Sequence, residues 1–542
     1  GPGGVASDIT LWLRGDTGAV TSSGVITSWQ DQSGNEKHAA KSLGNPTVSS
    51  NGGNFHPTVV FDGNSGFDTD SLMIVQMFIV LKPSASVSNS TNFQVIGRKN
   101  HNMSSKARVL GFGNKTVIAS NDSSSFASAD RIRINGRTNT SLSNTNFNLI
   151  TIDVGDKGGE KDVYKLGQKS SGTSYDNLNG EIAEIIAYTS RKTGIELAKI
   201  ESYLSVKYGI TISNTSGGTN GNYYNSNGDL IWDASLNSGY HSDVIGIGKD
   251  NTNKLNQKQS KTTDSKLTIF VDNLKSSNSS NTGTISNNQS FVMVGHNNGS
   301  LKSDSIIDLE SPTEIKHRLS REWKITNTNF DDNFALEIEW DSSGTFDLSH
   351  VRLLVDDDGD FSNAMVYGPA DGLTFRLGSI IVEDVNSSFI PKGSTQYVTL
   401  GSVDDLTVLP VDLLSFRGEK SGSVVNLNWE TASEVNSDYF EIFHSTDNIN
   451  FTSIGKVNAA GNSNVLKKYN LTHNNPKQGV NYYKLREYDL DGNSHDYKTI
   501  FVNFESIAET YDFVLFPNPN YNNGAVYLQS NYDGEINLQI FD

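Results

Sequence analysis

Apolar and polar residues alternate along much of this chain. Phe334, Leu336, Ile338 and Trp340 interleave with Ala335, Glu337 and Glu339, a period of two that sends one row into a core and the other to solvent. The pattern predicts a half-buried strand. Arg131-Ile132-Arg133-Ile134 runs into Asn135-Gly136, a pair that accepts the positive φ of a tight hairpin. Asn179-Gly180 and Asn227-Gly228 offer the same turn chemistry. Helical spacing stands out once: from Thr193 onward Leu197, Ile200, Leu204 and Tyr208 share a stripe, and Gly209 supplies a C-terminal stop. The reading is all-β, as tandem β-sandwich domains with one helix near 194–208.

Length and composition refine this picture. A chain of 542 residues exceeds the roughly 250 to 300 at which single cores stop growing, so three or four domains are expected. The Ser-Asn-Thr-rich stretch at 211–222 and shifts near 405 and 506 suggest the segments 1–211, 212–405, 406–505 and 506–542. A formal charge of −18 with no Lys/Arg-rich block speaks against a nucleic-acid partner, whose phosphates need clustered cations. The absence of cysteine removes disulfides, thiolate nucleophiles and Cys-ligated zinc. The longest apolar run, Leu72 to Leu81, falls short of the roughly 20 residues that cross a bilayer, so no membrane-spanning segment is expected.

Asp356, Asp358 and Asp360 lie at alternate positions of Asp-Asp-Asp-Gly-Asp, where like charges repel unless a hard cation sits among them. Two readings stand, a structural Ca²⁺ and a bare acidic turn. Tyr367, at the twelfth position, cannot supply the bidentate Glu of an EF-hand. Asp489-Leu490-Asp491-Gly492-Asn493 reads as a hairpin turn. Arg14-Gly15-Asp16 spells an integrin-type tripeptide and is taken as coincidence. No Glu-x-Asp-x-x-Glu pair of the concanavalin-like glycosidases occurs. Glu181 and Glu184, three apart on a predicted strand, are expected on opposite faces as surface charge. The ten His residues show no His-x-His or His-Glu-x-x-His, so no catalytic residue is assigned. The six Trp residues, Trp12, Trp29, Trp232, Trp323, Trp340 and Trp429, sit mostly in apolar rows and are expected in the core rather than against sugar rings.

Several blocks resemble known families. Leu11-Trp12-Leu13-Arg14, Trp29 through Asn35 and Val60-Phe61-Asp62-Gly63, closed by Gly180 to Tyr188 and Glu201 to Gly209, resemble a concanavalin A-like or laminin G-like jelly roll of Bacteroidota surface proteins over residues 1–211. Ile231 to Gly248, Leu255 to Lys261 and Arg321 to Lys324 resemble an uncharacterised β domain that follows it, over 212–405. Leu409 to Phe416, Leu427 to Glu434 and Tyr482 to Arg486 resemble the fibronectin III-like module preceding type IX sorting domains, over 406–505. Phe516, Pro517, Asn518 and Pro519, with Gly524 to Leu528 and Ile536 to Asp542, resemble the first half of a type A sorting domain, so a truncated one is expected over 506–542.

These resemblances imply a non-enzymatic surface protein, exported through the periplasm by the type IX machinery to the cell exterior. Adhesin or structural protein is the leading expectation. A lectin-like carbohydrate-binding protein, with glycans or cell-surface components as partners, is the alternative, and a polysaccharide hydrolase with dispersed residues comes last. Asp70-Ser71-Leu72 and Asp304-Ser305-Ile306 also resemble the O-glycosylation pattern of such bacteria.

Overall fold

The computed structural model describes residues 1–84, 92–99, 108–113, 116–119, 132–138, 141–143, 145–154, 161–169, 176–214, 220–301, 303–305, 310–339, 348–371, 374–376, 379–385, 389–403, 413–431, 434–463, 467–490, 494–497, 499–504, 513–516 and 527–530. The chain is mostly β and divides into two compact units, Gly1–Pro410 and Val411–Asp542.

The first unit holds two sandwiches. In the first, an eight-stranded sheet centred on Gln76–Pro83 and Asn179–Tyr188 faces a nine-stranded sheet centred on Asn92–Arg98 and Asp162–Leu166. Leu13, Trp29, Phe67, Ile79, Ile150 and Ile185 fill the space between them. In the second, a nine-stranded sheet containing Ser242–Asp250, Ser290–His296 and Trp323–Thr328 faces a five-stranded sheet containing Leu267–Phe270 and Phe334–Glu339. Ile245, Ile269, Val292, Trp323, Leu336 and Ile338 form that core.

A third apolar layer joins the two sandwiches. The helix Gly194–Tyr208 contributes Ile200, Tyr203, Leu204 and Tyr208; the first sandwich contributes Trp12, Phe78, Val80 and Ile186; the second contributes Val244, Phe291 and Met293. Sheets covered on both faces need apolar residues at every position. This accounts for the run around Met77 to Leu81, where Met77, Ile79 and Leu81 enter the sandwich core and Phe78 and Val80 the helix layer. The single stripe read from the helix sequence understates its burial, because every residue from Ile200 to Tyr208 is buried, Glu201 and Lys207 included. Gly209 ends the helix in the left-handed region, at φ 62° and ψ 40°.

The hairpin at Asn135-Gly136 forms, with φ of 50° and 79°, between Ile132–Ile134 and Arg137–Thr138. Asn227-Gly228 also lies in a turn, where Gly228 N–H donates to the Asn225 carbonyl. Asn179-Gly180 does not turn: both residues begin the strand Asn179–Tyr188, paired to Asp62 and Phe61, because registry across two neighbouring strands outweighs the local preference of the dipeptide. The Phe334 row is buried as read, but Ala335 is buried too, against Phe270 and Ile381 on the outer face; Trp340 lies outside the described residues. The other five Trp residues are each at most 1% exposed.

In the second unit a three-stranded sheet, Leu413–Ser421, Val424–Thr431 and Lys467–His473, faces a sheet built on Glu434–Ser445 and Gly479–Asp489. Trp429, Phe440, Ile442, Tyr483 and Leu485 are its core. Gly479–Asp489 pairs with Ser494–Asp496 as a hairpin whose residues 491–493 lie outside the described residues. Phe513–Phe516 pairs with Tyr527–Ser530, while Pro517, Asn518 and Pro519 lie outside them. Among the described residues no helix is long and apolar enough to cross a membrane.

Candidate functional site

Where the two sandwiches of the first unit meet beside the helix C-terminus, a cleft of about 480 Å³ opens, lined by Phe55, Phe147, Tyr208, Gly209, Asp243 and Lys261 among others. Of the sixteen described non-glycine residues with positive φ, five line it: Asn54 at 45°, Phe55 at 67°, Asn135 at 50°, Asp243 at 47° and Ser265 at 61°. Three of these, Asn54, Phe55 and Asn135, are central residues of two-residue hairpins, so the cleft is bordered by two tight turns.

The hairpin joining Thr47–Gly53 to His56–Asp62 has two central residues, Asn54 and Phe55, and both must enter the left-handed region. Asn does so at little cost, whereas a bulky residue there is strained by about 1 to 3 kcal/mol. The second sandwich and the helix hold the turn in place. Asn54 Nδ2 donates to the Lys207 carbonyl (3.1 Å) and to Ser260 Oγ (3.0 Å), and Asn54 Oδ1 accepts from Lys261 N–H (3.0 Å). The Asn278 N–H donates to the Phe55 carbonyl at 2.8 Å. The Phe55 and Phe147 rings remain half-buried at the cleft.

Asp243 sits in an irregular stretch of Ser242–Asp250, between the paired positions Ser242 and Ile245. Its carboxylate accepts from Thr263 Oγ1 and from the Asp264 N–H at 3.2 Å. Burial works to raise its carboxyl, but the His296 and Thr263 side chains more than offset that and hold it below the ordinary value. His296 Nε2 lies 3.9 Å away. Asp264 reaches within 4.8 Å of both Asp243 and His296. Burial raises its carboxyl too, and the Arg321 guanidinium, 2.9 Å away, does most to bring it below the ordinary value.

Tyr208 connects the cleft to a buried ionic network. Its hydroxyl donates to Glu184 Oε2 at 2.8 Å, and the same carboxylate accepts from Trp12 Nε1 (2.6 Å), Tyr203 Oη (3.0 Å) and Lys207 Nζ (2.7 Å). Lys207 Nζ lies 3.1 Å from Asp16, which also takes two bonds from Arg14 at 3.0 and 2.9 Å. Two carboxylates and two cations cancel, which is what allows them to be buried. Burial pushes Asp16 up, but Lys207, His56 and Arg14 outweigh it and hold the carboxyl well below its usual range. Burial, then the Glu184 charge, pushes the Tyr203 and Tyr208 phenols well up.

This network corrects the expectation for Glu184, which is fully buried rather than surface charge. The register slip between Ile182 and Glu184 shifts the alternation by one, so Glu181 and Glu184 share the helix-covered face. Glu181 there meets Lys82 at 2.8 Å and Thr58 Oγ1 at 2.6 Å. Arg14-Gly15-Asp16 is no displayed tripeptide: Arg14 and Asp16 grip one another, with 10% and 13% of their side chains exposed. A Cβ on Gly15 would stand 2.6 Å from the Pro57 carbonyl oxygen.

The acidic loop is arranged as follows. Asp356 Oδ2 accepts the N–H groups of Asp358 and Gly359, Asp358 accepts from Asp360 N–H, and Asp360 turns to Ser362. Carboxylate oxygens of Asp356, Asp357 and Asp358 lie within 4.8 Å of one another, and Asp360 stands outside that group. Phe55, Asp243 and His296 escaped sequence reading: they are 53 to 241 positions apart and match no motif. The one local signal was the pair of glycines, Gly52-Gly53, ahead of the Asn54 turn.

Residues 196–385 match a family described as a domain of unknown function, DUF8202, a span from inside the helix to the last residue of the strand Ser379–Val385. No curated protein matches in sequence. Among solved structures, a β-1,2-glucanase from Parabacteroides distasonis aligns at 13% identity and a TM-score of 0.14, over 35% of this chain and 33% of that one. So slight an overlap carries no argument.

Proposed function

We propose that this chain is an adhesin of the outer cell surface that attaches by binding glycans in the cleft of its first unit. The observation that carries the reading is Phe55, an aromatic ring kept in a strained backbone conformation on the same cleft as the hydrogen-bonding carboxylate of Asp243. Sugar recognition uses an apolar ring face for stacking and fixed polar groups for hydroxyls, and this cleft offers both.

Binding is favoured over hydrolysis. Asp243 and Asp264 are close enough to suggest a glycosidase pair, yet a general acid must keep its proton near neutral pH. Both carboxyls are held below their ordinary values.

Export through the periplasm by type IX secretion belongs to the same proposal and rests on the resemblance of 406–505 and 506–542. A structural Ca²⁺ on the acidic loop would be held by the carboxylate oxygens of Asp356, Asp357 and Asp358, which converge, with Asp360 outside that group.

A glycan array probed with the full chain tests the reading: hits are expected, and Phe55→Ala is expected to weaken them. An array without hits, with and without calcium, would overturn it. Removing 506–542 is expected to trap the protein in the periplasm, and normal export would exclude the secretion route.

A further inference from the structure

The cleft's charges are unevenly matched. Lys82 is paired with Glu181 at 2.8 Å and Lys261 with Glu339 at 2.9 Å. Asp243 meets neutral donors, the Thr263 hydroxyl and the Asp264 N–H, while the nearby guanidinium of Arg321 is engaged by Asp264.

His296 adds a second, independent feature. It is 2% exposed, and its Nδ1 accepts the Asn298 N–H at 3.0 Å, so the ring proton sits on Nε2. Among the described residues Nε2 has no hydrogen-bond partner, and it lies 3.9 Å from Asp243 Oδ2. A buried donor without an acceptor is costly, so something is expected to occupy that gap. An oxygen about 2.8 Å from each atom would subtend an angle of about 90°, an acceptable geometry for a group that accepts from one side and donates to the other. The tautomer also argues against a metal ion here, since a ligating Nε2 would need to give up its proton while Nδ1 faces a backbone N–H.

Resting on the glycan reading, we infer that Asp243 and His296 form a hydroxyl-reading pair that selects neutral sugars. A hydroxyl both accepts from Nε2–H and donates to the carboxylate. An ammonium has no lone pair for His296, and a carboxylate or sulfate has no proton for Asp243 and meets its charge besides. In the complex a sugar hydroxyl takes that position. Asp243, 18% exposed, makes the ligand contact, and the buried His296 positions the oxygen.

The test is titration calorimetry on the full chain, using neutral hexose oligosaccharides from the array together with their uronic-acid, sulfated and amino counterparts. Neutral ligands are expected to bind at least about tenfold tighter than the anionic forms, a modest effect for like-charge exclusion. Asp243→Asn, nearly isosteric, is expected to shrink that ratio to about threefold or less while weakening neutral binding. His296→Gln is expected to weaken neutral binding and to narrow the preference over amino sugars. Equal or tighter binding of anionic ligands by the unaltered chain overturns the inference, as does an unchanged ratio in a folded Asp243→Asn protein. If His296→Gln alone disrupts folding, the Asp243→Asn ratio decides. Failure of every sugar to bind overturns the glycan reading itself, a result distinct from binding with the wrong preference.

Discussion

Lys207 Nζ lies 2.7 Å from the Glu184 carboxylate, with 2% and 0% of the two side chains exposed. The pair fastens the last turn of the helix to the central strand of the first sandwich, directly beneath the cleft wall formed by Tyr208.

Removing one member strands the other. Lys207→Met leaves Glu184 and Asp16 facing a single cation, Arg14, and is expected to cost about 3 to 5 kcal/mol. Lys207→Met combined with Glu184→Gln is expected to recover part of that. Denaturant midpoints of the first unit decide it, and a single-variant loss under about 1 kcal/mol would contradict the assigned role.

The network predicts stability limits at both ends of the pH scale. Asp16 is depressed in the folded state, so its contribution is fully present above the ordinary carboxylate value of about 4 and is lost as pH falls below that value through the depressed folded-state value. Tyr203 and Tyr208 are raised above 10.0, so their contribution is complete below that value and is lost as pH rises beyond it. Near-ultraviolet circular dichroism is expected to fall with phenolate appearance above pH 10.0, because these phenols ionise on unfolding.

Phe55→Asn places a residue tolerant of the left-handed region where a strained one stands. Thermal stability is expected to hold or rise, since strain of about 1 to 3 kcal/mol is relieved. Losing a stacking contact of about 1 kcal/mol is expected to lower glycan affinity about fivefold. A marked fall in the melting temperature would place Phe55 there for packing instead.

Gly15→Ala drives a Cβ against the Pro57 and Ala183 carbonyl oxygens, at 2.6 and 3.0 Å. Overpacking of this kind is expected to cost about 1 to 3 kcal/mol in chemical denaturation. A stable Gly15→Ala protein would show that the backbone there yields.

Calcium is expected to raise the melting temperature of the intact chain, and Asp356→Asn to remove that response. Asp356→Asn is also expected to lower stability in chelator, because Asp356 holds the N–H groups of Asp358 and Gly359. An identical melting temperature in calcium and chelator would leave the loop as a turn alone.

Local pattern carried much of the architecture. The Ile132–Ile134 hairpin, the helix ending at Gly209 and the burial of Trp12, Trp29, Trp232, Trp323 and Trp429 were legible, because period and turn chemistry act over a few residues. The sequence by itself determined an all-β chain with one helix. Tertiary structure decided which faces are covered twice, that the slip at Ile182 turns Glu184 inward onto Lys207, and that Asn179-Gly180 continues a strand. It also brought Phe55 and Asp243 to one cleft and set the buried His296 3.9 Å from Asp243, through strand registry and layer packing between segments far apart in the chain, which no local pattern encodes.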